Sequence, residues 1–331
     1  MRIHLIAIGG SAMHNLALAL QSIGHEVSGS DDEIYDPALS RLKNAGLLPE
    51  PMGWSADRIT SDIEAIILGM HARKDNPELA RAQELGLKVY SYPEFIFEQA
   101  IDKKRIVIAG SHGKTSTTSM IMHVLKKANR DFDYLVGAQL EGFEMMVRLS
   151  DAPIMIIEGD EYLSSCIDPR PKFLHYKPDI AVLTGISWDH INVFPEFSNY
   201  LDQFRGFLDH LNNNAQLFYY KNDENIIDLI KEKDRGIGLE AYDVLLGTDL
   251  QHYSHILNGG EKVNLPFFGK HNMENMHAAY LVCESLGISL NEFLEHIQSF
   301  TGASKRLQPF IVQNNAAVFV DFAHAPSKVK A

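Results

Sequence analysis

The sequence predicts an α/β protein: a Rossmann-like β-α-β unit at the N-terminus, then a central α/β unit built on a phosphate loop (P-loop). Three observations lead there. Short apolar, β-branched runs alternate with stretches whose apolar residues recur every three or four positions, the pattern of parallel strands joined by helices. The first such run ends in a glycine turn, Gly9-Gly10-Ser11-Ala12-Met13. A later run, Arg105-Ile106-Val107-Ile108-Ala109, empties into Gly110-Ser111-His112-Gly113-Lys114-Thr115-Ser116-Thr117.

Residues 2–8 form the first predicted strand, and His14 to Ile23 a helix with Leu16, Leu20 and Ile23 on one face. Residues 26–30 form a second strand closing on Asp31-Asp32. This is a nucleotide-binding opening with an acid after its second strand. The glycines of a dinucleotide fingerprint are missing, because Ser11 and His14 stand where two of them belong. That disfavours a nicotinamide cofactor and favours another nucleotide or a nucleotide-sugar. Further strands are expected at 65–68 and 87–90, with the polar loop His71 to Asn76 between them and Pro77 starting a helix. Such loops, at the carboxyl ends of parallel strands, carry ligands.

The charged connector Asp102-Lys103-Lys104-Arg105 marks the first boundary, where the α/β pattern restarts. In the loop that follows, Gly110 and Gly113 let backbone N–H groups curl inward, and the helix N-terminus adds positive partial charge. Lys114 can reach the β- and γ-phosphates and the Thr115 hydroxyl can hold Mg²⁺. The general pattern places a glycine where this chain has Ile108, so the loop is a short variant. A strand at 153–157 then runs into Glu158-Gly159-Asp160-Glu161. A metal-binding carboxylate is expected there, and Glu158, directly after the apolar run, is the candidate. Asp160 and Glu161 have the commoner fate of solvated loop charges as their alternative.

A strand at 181–185 leads to Asp189-His190, where His190 is a candidate metal ligand. A helix from Pro195 to Leu211, a strand at 215–220, a helix over 223–231 and short strands over 241–265 follow. Gly269-Lys270-His271-Asn272-Met273-Glu274-Asn275 opens another helix, which Asn272 could cap. Residues 291–300 form a short helix, Gly302 to Arg306 a basic turn, and 317–321 a last strand ending at Asp321. The chain stops at Ala331, and a strand with a stub cannot bury a core. It either docks on the preceding unit or begins a third domain.

Composition sets limits. At 331 residues, 45% hydrophobic and 22% charged, the chain is a globular protein of two or three domains. A net charge of −13 argues against nucleic acid and anionic membranes as partners, but not against a local phosphate site. Two distant cysteines, Cys166 and Cys283, suggest a reducing compartment. With no apolar run long enough for a signal peptide or a bilayer span, the expected location is the cytoplasm.

Five stretches, in order, resemble the Mur ligase family: Gly9 to Met13; Gly110 to Thr117; Glu158 to Glu161 with Asp189-His190; Gly269 to Asn275; and Lys305-Arg306 with Asp321 to Pro326. The resemblance implies an ATP-dependent, Mg²⁺-requiring ligase that builds the peptide stem of peptidoglycan. It implies a UDP-sugar domain (1–102), a central ATP domain (103–308), and the start of a Rossmann-like peptide-binding domain (309–331) that is mostly missing. It places Gly10, Ser11, Met13, Asp31, His71 and Asn76 around UDP-N-acetylmuramic acid. Gly110, Ser111, His112, Gly113, Lys114, Thr115 and Ser116 would cradle the ATP phosphates. His271 and Asn272 would contact adenine, and Arg306 and Asp321 would meet the nucleotide from the domain junction.

Thr115, Glu158 and His190 would hold metal. No lysine lies between Lys177 and Lys221, where several family members use a carbamylated one, so a second Mg²⁺ would rest on Glu158, His190 and water. The 28-residue spacing from Glu161 to Asp189 is similar to that of the branch that ligates a whole murein tripeptide, the alanine-adding branch being the alternative. A non-catalytic ATP sensor is the reading from another class, and the Glu158/His190 pair argues against it.

Overall fold

The computed structural model describes residues 1–302 and the backbone of two strands beyond them, 308–313 and 316–320. It is an α/β fold of two main parallel sheets in series.

The N-terminal unit contains β1 (Arg2–Ile6), α1 (Ser11–Ser22), β2 (Glu26–Ser30), α2 (Ala38–Asn44), β3 (Ala65–Leu68), α3 (Pro77–Glu84), β4 (Val89–Ser91) and α4 (Tyr92–Gln99). Its four strands lie parallel in the order β2-β1-β3-β4. The chain leaves β1 toward β2 and returns on the other side of β1, so the switch point lies between β1 and β3. Gly9-Gly10 and the His71–Asn76 loop both open at that edge. Helix α1 begins at Ser11, three residues before the expected His14, because Gly10 already stands in the capping position. Asn76 caps α3, its Oδ1 accepting from the Glu78 and Leu79 amides, and Pro77 supplies the first turn. Ser91 and Glu94 close a capping box on α4.

The central unit contains β5 (Lys104–Ala109), α5 (Lys114–Lys127), β6 (Asp133–Leu135), β7 (Val147–Arg148), β8 (Ile154–Glu158), β9 (Ile180–Leu183), α6 (Phe197–Asp209), β10 (Gln216–Tyr220), α7 (Glu224–Lys231) and β11 (Gly238–Tyr242). The sheet order is β11-β10-β9-β5-β8-β6-β7, with only β7 antiparallel to its neighbour. Strand β5 is central and fully buried over Ile106–Ala109. Tyr200, Phe204 and Phe207 of α6, spaced four and three apart, pack into an aromatic cluster with Phe173. The hairpin β12 (His255–Asn258) and β13 (Glu261–Asn264) precedes α8 (Lys270–Ser285) and α9 (Leu290–Ile297). Helix α8 lies against α5 through Met273, Met276 and Tyr280. Strands β14 (Gln308–Gln313) and β15 (Ala316–Val320) pair antiparallel. Among the described residues, no helix is long and apolar enough to cross a membrane.

Candidate active site

Three strand ends meet at the phosphate loop. The Ser111 amide donates to the Gly185 carbonyl after β9 (2.8 Å), and the Gly159 amide after β8 donates to Ile108 O (2.8 Å). The Thr184 hydroxyl bonds the carbonyls of Ala109 and His112. Gly110 and Gly113 have φ of 128° and 81°. A Cβ at Gly110 would lie 2.3 Å from Thr184 Oγ1, and one at Gly113 2.4 Å from Asn275 Oδ1, so both positions exclude side chains. The Ser111 hydroxyl accepts from the Ser187 amide (2.8 Å) and bonds the Tyr200 hydroxyl (2.9 Å). Its side chain therefore ties the loop to the body of the unit.

Lys114 and Thr115 open α5 and face the end of β8. Thr115 Oγ1 donates to Glu158 Oε1 (2.7 Å), and the Gly137 amide donates to Glu158 Oε2 (2.9 Å). A hydroxyl and a carboxylate held together are hard oxygen donors that fit Mg²⁺. Lys114 Nζ donates to Gly110 O (2.6 Å) and Glu161 Oε2 (2.7 Å).

Glu161 is buried, not solvated. Its other oxygen accepts from the Tyr200 hydroxyl (3.1 Å) and lies 3.6 Å from His190 Nε2. Burial pushes the Glu161 carboxyl up, but the Lys114 charge and the bonds from His190 and Lys114 outweigh it and hold it down to about 2. The bond to Glu161 raises His190 despite its burial. His190 takes a left-handed φ of 54°, with its amide bonded to Asp189 Oδ1 (2.8 Å).

Asp160, Glu161 and His190 each bring one ligand atom within 4.8 Å of the others. This differs from the expected pairing of His190 with Glu158: the structure groups His190 with Asp160 and Glu161, while Glu158 is engaged by Thr115 and Gly137. Two carboxylate oxygens and an imidazole nitrogen can hold a divalent cation, with less preference for Mg²⁺ than the Thr115–Glu158 pair.

In the N-terminal unit, Gly10 and Ser11 (after β1), Asp31 (after β2), and His71 and Asn76 (after β3) share one end of the sheet. Ser11 and His71 are exposed. Asp31 Oδ2 accepts from the Gly9 amide (2.7 Å) and so fixes the turn. Burial raises its carboxyl above the usual range. The Met13 side chain is packed in the core, and the Asn76 side chain is occupied as a cap while its backbone bonds Arg73 O and the Ala80 amide.

His271 and Asn272 lie half-buried in the first turn of α8. The helix starts at Lys270, so Asn272 is inside it and donates to Phe268 O (2.8 Å) instead of capping. His112 and Ser116 flank the loop, both half-buried. Arg306 and Asp321 lie outside the described residues. Sequence reasoning missed four residues at the site: Asp160, Glu161, Tyr200 and Asn275. For the acids at the end of β8 the sequence carries no local signal, since the burial of Lys114, whose ammonium then needs a counter-ion, emerges only in the fold.

The fold and site define a phosphate-loop enzyme of two α/β units, with a hydroxyl–carboxylate pair, Thr115 and Glu158, at its centre. Residues 108–283 match the Mur ligase middle domain, and residues 2–104 match the Mur ligase family, catalytic domain. The chain belongs to the Mur ligase family, whose members are ATP-dependent ligases that form amide bonds.

It is 32% identical to the UDP-N-acetylmuramate–L-alanine ligase of Caldicellulosiruptor saccharolyticus, over 99% of this chain and 72% of that protein. It is 27% identical to the UDP-N-acetylmuramate–L-alanyl-γ-D-glutamyl-meso-2,6-diaminoheptandioate ligase of Escherichia coli K12, over 100% and 74%. The crystal structure of a murein peptide ligase from Psychrobacter arcticus 273-4 superposes with a TM-score of 0.83 at 25% identity, covering 99% of this chain and 74% of that one.

Proposed function

We propose that this protein joins the murein tripeptide L-Ala-γ-D-Glu-meso-diaminopimelate to the lactoyl carboxylate of UDP-N-acetylmuramic acid, using ATP, in the cytoplasm, as a step of peptidoglycan recycling. Residues 1–102 hold the UDP-sugar, 103–308 hold ATP, and 309–331 begin the unit that brings the peptide. A carboxylate resists amines because it is an anion with no leaving group. Its oxygen attacks the γ-phosphorus of ATP, ADP departs, and an acyl phosphate forms. The peptide amine then attacks the acyl carbon, and inorganic phosphate leaves with the carboxylate oxygen.

Positioning and charge neutralisation are the protein's main contributions. Lys114 exchanges Glu161 for the β- and γ-phosphates. Thr115 and Glu158 would hold Mg²⁺, which would neutralise phosphate charge there, and His190 with Glu161 and Asp160 would offer a second cation position. The observation that carries this reading is the Thr115–Glu158 pair beside the Lys114–Glu161–His190 cluster, at the converging ends of β5, β8 and β9.

Support for a peptide acceptor comes from the 28-residue spacing between Glu161 and Asp189 and from the likeness to the murein peptide ligase structure. The 32% identity to an alanine ligase favours L-alanine as the second reading. Parallel assays of the full-length protein with UDP-N-acetylmuramic acid, ATP and either acceptor decide between them. Ligation of tripeptide at least tenfold faster than of L-alanine is expected; the reverse preference refutes the acceptor assignment.

A further inference from the structure

The N-terminal unit is linked to the Thr115–Glu158 pair by a route of hydrogen bonds and backbone that starts at Asn15. This residue of α1 is fully buried. Its Nδ2 donates to Ser11 O (2.9 Å) and faces His14 Nε2 (3.0 Å), while its Oδ1 accepts from the Met146 amide (3.0 Å) and Arg41 Nη1 (3.2 Å). His14 Nδ1 in turn bonds Gly10 O (2.9 Å). The amide orientation is fixed, since carbonyl and ring-nitrogen acceptors lie on one side and N–H donors on the other.

Met146 belongs to the central unit. Its carbonyl accepts from the Val136 amide (2.9 Å), and the next residue, Gly137, donates its amide to Glu158 Oε2. Arg41 Nη2 also donates to Glu144 O (2.5 Å) and the Ser11 hydroxyl donates to Met146 Sδ (3.6 Å), so three side chains of the N-terminal unit grip the loop that ends at Met146.

We propose that Asn15 is a positioning residue that couples the Gly9-Gly10-Ser11 turn to the metal-binding carboxylate Glu158, through Met146, Val136 and Gly137. The proposal rests on the reading that the turn takes the UDP-sugar and that Glu158 takes Mg²⁺. A ligand seated on the turn bears on the first turn of α1, whose Ser11 carbonyl and His14 ring hold the Asn15 amide. Asn15 sets the Met146 strand edge, and that edge sets the amide that orients Glu158. Occupancy of the sugar site then favours the geometry that binds the metal–nucleotide, and linkage makes the effect reciprocal.

Two variants separate this role from simple packing. Asn15→Leu fills the volume but removes the acceptor for Met146. Asn15→Asp keeps that acceptor and its partner Arg41 but loses the donor to Ser11 O and His14. The coupling role makes both variants lose the sugar effect while only Leu loosens the Met146 amide; a purely structural role leaves the sugar effect intact in both.

The test measures binding of Mg²⁺ with a non-hydrolysable ATP analogue by calorimetry, with and without saturating UDP-N-acetylmuramic acid, together with amide exchange at Met146 and Val136 in the unliganded protein. In wild type the sugar should tighten nucleotide binding about fivefold or more. In both variants that ratio should fall to within about twofold of unity, with faster exchange at both amides in Asn15→Leu and near wild-type exchange in Asn15→Asp. Undiminished coupling in either variant, or no coupling in wild type that binds both ligands, overturns the proposal. If wild type binds neither ligand, the functional reading fails instead. The exchange data then decide the link alone: faster exchange at Met146 and Val136 in Asn15→Leu upholds it, and unchanged exchange overturns it.

Discussion

Replacing Glu161 by Gln removes the counter-ion of Lys114 without changing shape. The pair is tight, at 2.7 Å, with side-chain exposures of 14% and 1%. The native surroundings lower the Glu161 carboxyl from 4.5 to about 2. A fall of about 2.5 pH units corresponds to about 3 kcal/mol of native stability at neutral pH. The sign follows from the depressed value: the contribution is complete above 4.5 and disappears as the pH falls toward about 2. Glu161→Gln should therefore cost about 3 kcal/mol at pH 7, or a melting temperature lower by about 6–12 °C for a unit of this size. The assay is thermal unfolding followed by tryptophan fluorescence, since Trp188 lies close to the site, with and without a Mg²⁺–ATP analogue. The analogue should stabilise the variant more than wild type, because phosphate returns a partner to the stranded ammonium. A variant that melts within 1 °C of wild type without nucleotide would refute the claim that this buried pair organises the empty loop.

The remaining expectations concern binding and pH. Lys114→Ala should weaken ATP binding at least tenfold, the loss of one charge-assisted contact, and leave UDP-N-acetylmuramic acid binding within twofold; calorimetry with each ligand checks both. Glu158→Ala should raise the Mg²⁺ concentration needed for half-maximal nucleotide binding at least tenfold, and an unchanged Mg²⁺ titration contradicts the assignment. Burial lowers His14, His123, His175 and His277 below 6.5. The folded protein thus binds fewer protons than the unfolded chain just below that value, so stability should be full above 6.5 and decline as the pH falls through it. His190, raised by Glu161, opposes this with a single group. Melting temperatures at pH 7.5 and 5.5 measure the net effect, and a higher value at pH 5.5 would contradict it.

The sheet strands were legible because parallel strands buried on both faces read as continuous apolar runs, as Ile66-Ile67-Leu68 and Ile106-Val107-Ile108 do. Lys114, Thr115 and Glu158 were legible because their chemistry is local, at a strand-to-helix turn and a strand end. Glu161 and Asn15 were not, because what defines them lies far along the chain: Lys114 is 47 residues from Glu161 and Met146 is 131 from Asn15. An acid after a strand gives no sign of burial until its cation arrives, and a helical Asn gives no sign of a partner in another unit. Asn272 misled for a smaller reason. Gly269, with a φ of 92°, starts α8 earlier than the side-chain preference of Asn suggested.

The central claim is that ATP activates the lactoyl carboxylate as an acyl phosphate in the site formed by Lys114, Thr115 and Glu158. It is tested most directly by isotope transfer. UDP-N-acetylmuramic acid labelled with ¹⁸O in both carboxylate oxygens is ligated by the full-length protein with ATP and the acceptor peptide, and the released phosphate is analysed by mass spectrometry. The account predicts one ¹⁸O in each inorganic phosphate and one retained in the new amide. Unlabelled phosphate, with product formed, would contradict it.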